Sequence, residues 1–240
     1  MLLLIILALL MVVALILMSL ANRAQQRARA KRHQQRQLRL RIELLEEVLD
    51  CLLNTLADTK IAEHINNEIM SLLEEVLALE QHNKAHFEAL LANSTTRGET
   101  LSSAKTNTTA NLLRDSDLHI AQTQDYLSQT VQILRNQQQQ GKLTTEELNV
   151  YVADLHWARL MVSVASFIGQ GYRASGRGDV FTATGFYKKA QNALIESMHR
   201  DPRRMRLIKE LGEIIAGTRK TLSDDLIPDE KLLEQAQLLQ

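Results

Sequence analysis

The sequence predicts an all-α protein whose first helix crosses a membrane. Proline and glycine occupy only 2 and 9 of the 240 positions, which favours long helices. Aromatic residues make up 4% of the chain, and β-branched residues rarely alternate with polar ones as strands would require. The stretch from Met1 to Met18 is uninterruptedly apolar. At about 1.5 Å per residue, a helix over residues 1–21 reaches roughly the 30 Å of a bilayer's hydrocarbon core.

A basic juxtamembrane segment at residues 22–41 follows the predicted anchor. The positive-inside rule then places the N-terminus outside and the body in the cytoplasm, as in a single-pass protein of a bacterial inner membrane. A cleaved signal peptide is the competing interpretation, and the lack of a basic residue before the apolar run opposes it. The basic residues are expected to lie against anionic lipid heads, since no aromatic residues are interleaved for stacking on nucleic-acid bases. They are Arg23, Arg27, Arg29, Lys31, Arg32, Arg36, Arg39 and Arg41.

Residues 42–92 are predicted to be helical and strongly acidic. Leucine and isoleucine recur at three- and four-residue spacing from Ile42 to Leu77, as on one face of a helix. Asp58 and Thr59 suit helix caps, so this segment forms either a hairpin or a continuous coiled coil. Residues 93–109 are rich in serine, threonine and asparagine, which compete with helix through side-chain bonds to the backbone. They are predicted to be a polar linker.

Residues 110–240 are predicted to form a distal helical bundle. One helix is expected from residue 110 to 140, ending before Gly141. Thr144 and Glu147 have capping-box spacing, which predicts a helix that continues to residue 175. Asp201-Pro202 predicts the start of a helix through Leu222, and a last short helix is expected at residues 229–239.

The segment from Ser166 to Leu194 carries small and aromatic residues at regular positions: Gly169, Tyr172, Gly176, Ala183, Tyr187 and Ala190. This spacing resembles a single unit of the tetratricopeptide-repeat family over about residues 163–195. The resemblance implies a helical hairpin in which Gly169 and Ala183 permit close approach while Tyr187 and Ala190 fill the space between the helices. Ala165 stands where the family has tryptophan, the turn is longer than usual, and no second copy follows. A generic antiparallel helix pair is the alternative.

No pattern in the sequence predicts an active site, a cofactor or a metal. Gly171 and Gly176 have the outer spacing of a phosphate loop, but Arg177 and Gly178 replace the lysine and the hydroxyl residue that it needs. His82 and His86 share a helix face without further metal ligands. The single cysteine, Cys51, lies among acidic residues, which disfavour a reactive thiolate.

Charge distribution suggests the function. Between Arg173 and Lys220 there are eleven basic residues against five acids, so this stretch is expected to dock on the acidic helices of residues 43–92, within one chain or between two. Anionic lipid and nucleic acid are the alternative ligands. We therefore expect a non-enzymatic, membrane-anchored scaffold that binds other proteins, including copies of itself, on the cytoplasmic face. The alternative is a membrane-tethered protein that binds nucleic acid or anionic lipid. The candidate interaction residues are Arg200, Arg203, Arg204 and Arg206.

Overall fold

The computed structural model describes residues 2–80, 83–103, 111–224, 226 and 234. Within these residues the chain forms seven α-helices and no strand, which confirms the all-α prediction. Two compact units are present: Met1–Leu44 with Ile69–Thr95, the first unit, and Leu45–Glu68 with Thr96–Gln240, the second unit. The helices are α1 (Leu2–Thr55), α2 (Lys60–Leu79), α3 (Lys84–Ser103), α4 (Asp117–Gln139), α5 (Thr145–Gly176), α6 (Val180–Glu196) and α7 (Arg203–Ile215).

The transmembrane helix predicted for residues 1–21 is wrong, and so are the single-pass topology and membrane localisation derived from it. Among the residues that the structure describes, no helix combines the length and the apolar composition needed to cross a bilayer. The apolar run does not form a helix of its own but opens the 54-residue helix α1. The side chains of residues 1–17 lie outside the described ones, and those described from Gln25 to Arg41 are mostly charged or amide groups.

The acidic segment is broken into separate helices at Asp58 and Thr59, where the sequence left a break or a continuous helix open. The backbone N–H of Lys60 donates to Asp58 Oδ1 at 2.9 Å, and the N–H of Glu63 donates to the Thr59 carbonyl at 2.9 Å. These bonds satisfy amides at the start of α2 that have no partner within the helix. Of the two arrangements that the sequence leaves open, the continuous helix is therefore excluded.

Residues 93–103, predicted as linker, are helical and form the second half of α3. Several hydroxyl groups there donate to carbonyls three or four residues earlier, for example Thr95 to Leu91 at 2.9 Å and Thr100 to Thr96 at 3.0 Å. The side chains thus bond within the helix instead of competing with it. In the second unit, Arg97 pairs with both carboxylate oxygens of Glu46 at 2.8 and 2.9 Å. Residues 104–110 lie outside the described ones.

Helix α5 carries the capping box predicted from the sequence. The Glu147 N–H donates to Thr144 Oγ1 at 3.2 Å, and the Thr144 N–H donates to the Glu147 carboxylate at 3.0 Å. Hydrogen bonds from Thr144 hold the pKa of Glu147 below its usual value. The preceding helix stops as predicted, because Gly141 adopts a φ of +73° that favours glycine.

Thr144→Ala should destabilise the protein by about 1 kcal/mol, because an amide at the start of α5 then loses its partner. Glu146→Ala is the matched control, since Glu146 lies in the same turn but outside the capping box. Urea unfolding of the full chain measures both variants. Equal effects of the two substitutions would contradict a specific role for Thr144.

One core cluster of the second unit is built by α5, α6, α7 and the segment after α7, and α4 packs on α5. Helix α7 ends at Ile215 and not near Leu222, because Gly217 adopts a φ of +75°. The following segment returns to the core, where the N–H of Leu222 donates to the Tyr172 hydroxyl at 2.8 Å. The short helix predicted at residues 229–239 falls outside the described residues, Glu234 excepted.

Candidate functional site

An open groove of about 880 Å³ lies along α5 in the second unit. Helix α4, helix α6 and the loop at residues 197–202, here called the α6–α7 loop, contribute its other walls. Gln124 Nε2 of α4 donates to Ser163 Oγ of α5 at 2.7 Å, which joins two of the elements that line the groove. Its apolar members include Val152 and Leu160 of α5 and Met198 of the loop.

Contacts with α5 hold the α6–α7 loop in place. His199 Nε2 donates to the Ala153 carbonyl at 3.1 Å, and its Nδ1 accepts from the Asp201 N–H at 3.2 Å. Both contacts suit a neutral imidazole with its proton on Nε2. The ring also lies 5.0 Å from the Trp157 ring. The loop thereby presents Met198, which is 95% exposed, at the groove.

Positive charge dominates the groove. Arg159 and Arg200 line it, whereas Glu196 is the one acid among its described lining residues. Partial burial and the positive charge of Arg159 and Arg135 lower the pKa of His156. A smaller adjoining pocket between α4 and α5 shares His156 and Arg159. The arrangement therefore suits a ligand with negative charge.

The four arginines predicted as interaction residues have different environments. Arg200 is exposed and lines the groove. Arg203 pairs with Asp201 at 2.7 Å and lies over the Trp157 ring at 5.0 Å. Arg204 donates to the carbonyls of Leu194 and Ser197, both at 2.8 Å, close to the C-terminal end of α6.

Arg206, the fourth of these residues, lies 3.7 Å from Glu210, one turn along α7. The contacts of Arg203 and Arg204 are therefore made with their own neighbourhood and not with the acidic helices. Acids of the second unit have other partners, as the pair of Lys142 and Glu68 at 3.3 Å shows. The contacts of these arginines with nearby carbonyl and carboxylate groups could not be predicted from the sequence, because the sequence does not show which of those groups lie close in space.

The residues of the predicted hairpin are buried where α5 packs against α6. Tyr172, Ala183, Tyr187 and Ala190 belong to the hydrophobic core, and Gly169 is also buried. The rings of Tyr172 and Tyr187 meet edge to face with centroids 6.0 Å apart.

Helices α5 and α6 approach each other closely at Gly171, a residue that was not predicted to take part in packing. A Cβ atom there would lie 2.7 Å from Cδ1 and 2.9 Å from Cζ of Tyr187. Glycine in a helix interior lowers stability relative to alanine. The presence of a glycine inside a predicted helix was therefore the feature of the sequence that could have indicated close packing at Gly171.

In the first unit, Arg39, one of the basic residues of segment 22–41, makes specific contacts. Its guanidinium donates to Glu80 Oε2 at 2.6 Å and lies 4.9 Å from the Phe87 ring centroid. Arg29, Arg32, Arg36 and Arg41 are exposed and Lys31 is partly buried. The side chains of Arg23 and Arg27 lie outside the described ones.

Comparison with known proteins returns no family model, no curated protein and no solved structure that matches this chain. The tetratricopeptide-like resemblance therefore stays a prediction. Within the described part of the chain, no group of three or more histidine, cysteine, aspartate or glutamate side chains could hold a metal ion; His82 lies outside that part. The groove is the candidate site, and Arg200 is the one residue of its described lining that the sequence predicts as an interaction residue.

Proposed function

We propose that this protein is a non-enzymatic helical scaffold that binds a segment of a partner protein in the groove along α5. The observation that carries the proposal is Met198, an apolar side chain that is 95% exposed at the edge of an open groove. Methionine adapts its shape to varied apolar surfaces and is common at protein-binding sites. Burying it against a partner would remove apolar area from water.

The shape of the groove supports a helical partner segment. Grooves beside packed helices accept the apolar face of an amphipathic helix, whose anchors recur at three, four and seven residues. Val152 and Leu160 lie eight residues apart, about 12 Å along α5, which is close to the roughly 10.5 Å between anchors seven residues apart on a partner helix. The bonds of His199 hold the α6–α7 loop beside α5 in advance, so less order has to be gained on binding.

The alternative function, nucleic-acid binding by the basic helix α7, has weaker support. Two of its arginines, Arg203 and Arg204, are engaged with Asp201 and with the carbonyls near the end of α6. A phosphate would have to replace these charge-assisted bonds, at a cost in free energy.

A photo-crosslinking amino acid placed at Asn149 in the groove should give a discrete protein adduct in the native host. The same group at Asn192, exposed on α6 and not among the groove-lining residues, is the control. Ala153→Trp should abolish the Asn149 adduct, because the exposed Ala153 lines the groove and an indole there would occupy it. Adducts of equal yield at both positions would contradict the proposal, and a nuclease-sensitive adduct would favour nucleic acid.

A further inference from the structure

The two arginines of the groove have no carboxylate partner among the described residues. Arg159 is exposed on α5, and Arg200 is exposed on the α6–α7 loop. By contrast, Arg97 pairs with Glu46 and Arg203 with Asp201. The cations of the groove therefore come from two separate elements and are available to a ligand that lies between them.

Apolar contact surface lies beside these cations. Val152 and Leu160 contribute to one side of the groove and Met198 to the loop side. The adjoining pocket of about 150 Å³ is lined by Leu127, Val131 and other residues of α4 and α5, and it shares Arg159 with the groove. A partner helix thus meets apolar contacts and positive charge together. Other exposed apolar side chains, such as Phe181 at 92% exposure, do not line the groove.

We infer that the groove takes an acidic amphipathic helix, whose apolar side chains contact Val152, Leu160 and Met198 while its carboxylates pair with Arg159 and Arg200. This inference rests on the proposed function and adds the chemistry of the partner. A basic segment would meet the two cations Arg159 and Arg200, and like-charge contacts at an interface are strongly unfavourable. A neutral segment would leave both arginines without an anion.

The inference is tested by selecting from a displayed library of random peptides of about 16 residues, long enough for four helical turns, on the full chain. Enriched peptides should carry aspartate or glutamate between apolar residues at three-, four- and seven-residue spacing. A selected peptide, followed by fluorescence anisotropy, should bind the double variant Arg159→Glu, Arg200→Glu about tenfold or more weakly. Raised salt should weaken binding to the unchanged protein.

Two matched controls separate the groove from the rest of the surface. Lys188→Glu reverses an exposed charge of α6 that does not line the groove, and it should leave the affinity unchanged. Met198→Ser should weaken binding, whereas Phe181→Ser removes an equally exposed apolar side chain elsewhere and should not.

The possible results distinguish the inference from the function on which it rests. Suppose that Ala153→Trp abolishes binding of the selected peptides, but that they lack acidic residues or bind the double arginine variant equally well. The inference of an acidic partner is then wrong, and the groove remains a binding site. A library without any groove-dependent peptide overturns both.

Discussion

Gly171→Ala should destabilise the protein by roughly 1 kcal/mol, although alanine is the better helix former. The new methyl group would meet the ring of Tyr187 below van der Waals distance. That ring is only 4% exposed and packs edge to face on Tyr172, so it cannot move aside without disturbing the core. Overpacking a core typically costs about 1–3 kcal/mol. We expect this cost to exceed the gain of about 1 kcal/mol in helix propensity.

Gly185→Ala is the matched control and should have the opposite sign. Gly185 lies in the interior of α6, and a Cβ atom there meets no other atom within 4 Å. Alanine should therefore stabilise the protein by roughly 0.5–1 kcal/mol through the helix propensity alone. Urea unfolding of the full chain measures both variants. If Gly171→Ala also stabilises, the close packing of α5 on α6 at Tyr187 is wrong.

Arg114→Ala should cost roughly 2–4 kcal/mol, because one guanidinium connects several parts of the second unit. It donates to Thr55 Oγ1 at the end of α1 and to Thr123 Oγ1 of α4, each at 2.8 Å. It also donates to the carbonyls of Asn111 and Leu113 at 2.9 and 2.8 Å. Hydrogen bonds from a charged donor are worth about 1.5–3 kcal/mol, and removing the donor leaves part-buried acceptors without it.

The control for this prediction is Arg173→Ala, which removes an arginine of α5 that pairs with Asp115 at 3.0 Å. Both side chains of that pair are well exposed, so the pair should contribute about 0–1 kcal/mol. Thermal unfolding of the two variants should differ by several degrees in Tm, as roughly 2 kcal/mol or more does in a chain of this size. Similar Tm values for both variants would show that Arg114 does not hold the segment at residues 111–116 in place.

That segment explains why helix α4 starts later than predicted. The sequence predicted helix from residue 110, yet α4 begins at Asp117 with Ser116 as its cap. The N–H of Arg114 donates instead to Ser166 Oγ of α5, and the N–H of Asn111 donates to the Asn54 carbonyl of α1. The backbone N–H groups of this segment thus donate to groups on other helices, and no local sequence pattern predicts those bonds. Tertiary hydrogen bonds here replace the helical ones.

Two features that were predicted correctly depend on groups that are neighbours in the chain. The capping box of Thr144 and Glu147 and the stop at Gly141 involve residues within a few positions of one another. Their bonds need no partner from a distant part of the chain. The prediction for α3 was wrong. Its serines and threonines indicated a linker, whereas the pairing of Arg97 with Glu46 stabilises the helix. That pair joins residues 51 positions apart.

The candidate groove also depends on residues that are distant in the chain. Arg200 was predicted as an interaction residue because arginines cluster near it in the sequence. Arg159 and Met198, which also line the groove, were not predicted. Gly171 was likewise considered only as part of a phosphate loop, and its contact with Tyr187 depends on how α5 packs against α6. Neither helix alone contains that information.

The all-α class, several helix ends and the pairing of α5 with α6 could be predicted from the amino-acid sequence, because composition, caps and turn glycines act over a few residues. The packing of the helices determines which arginines are used internally and where the groove lies. The structure also overturned the predicted membrane anchor, since no described helix is long and apolar enough to cross a bilayer. The physical reason is that charge pairing and close packing depend on distances in space, and these are set only when helices far apart in the chain come together.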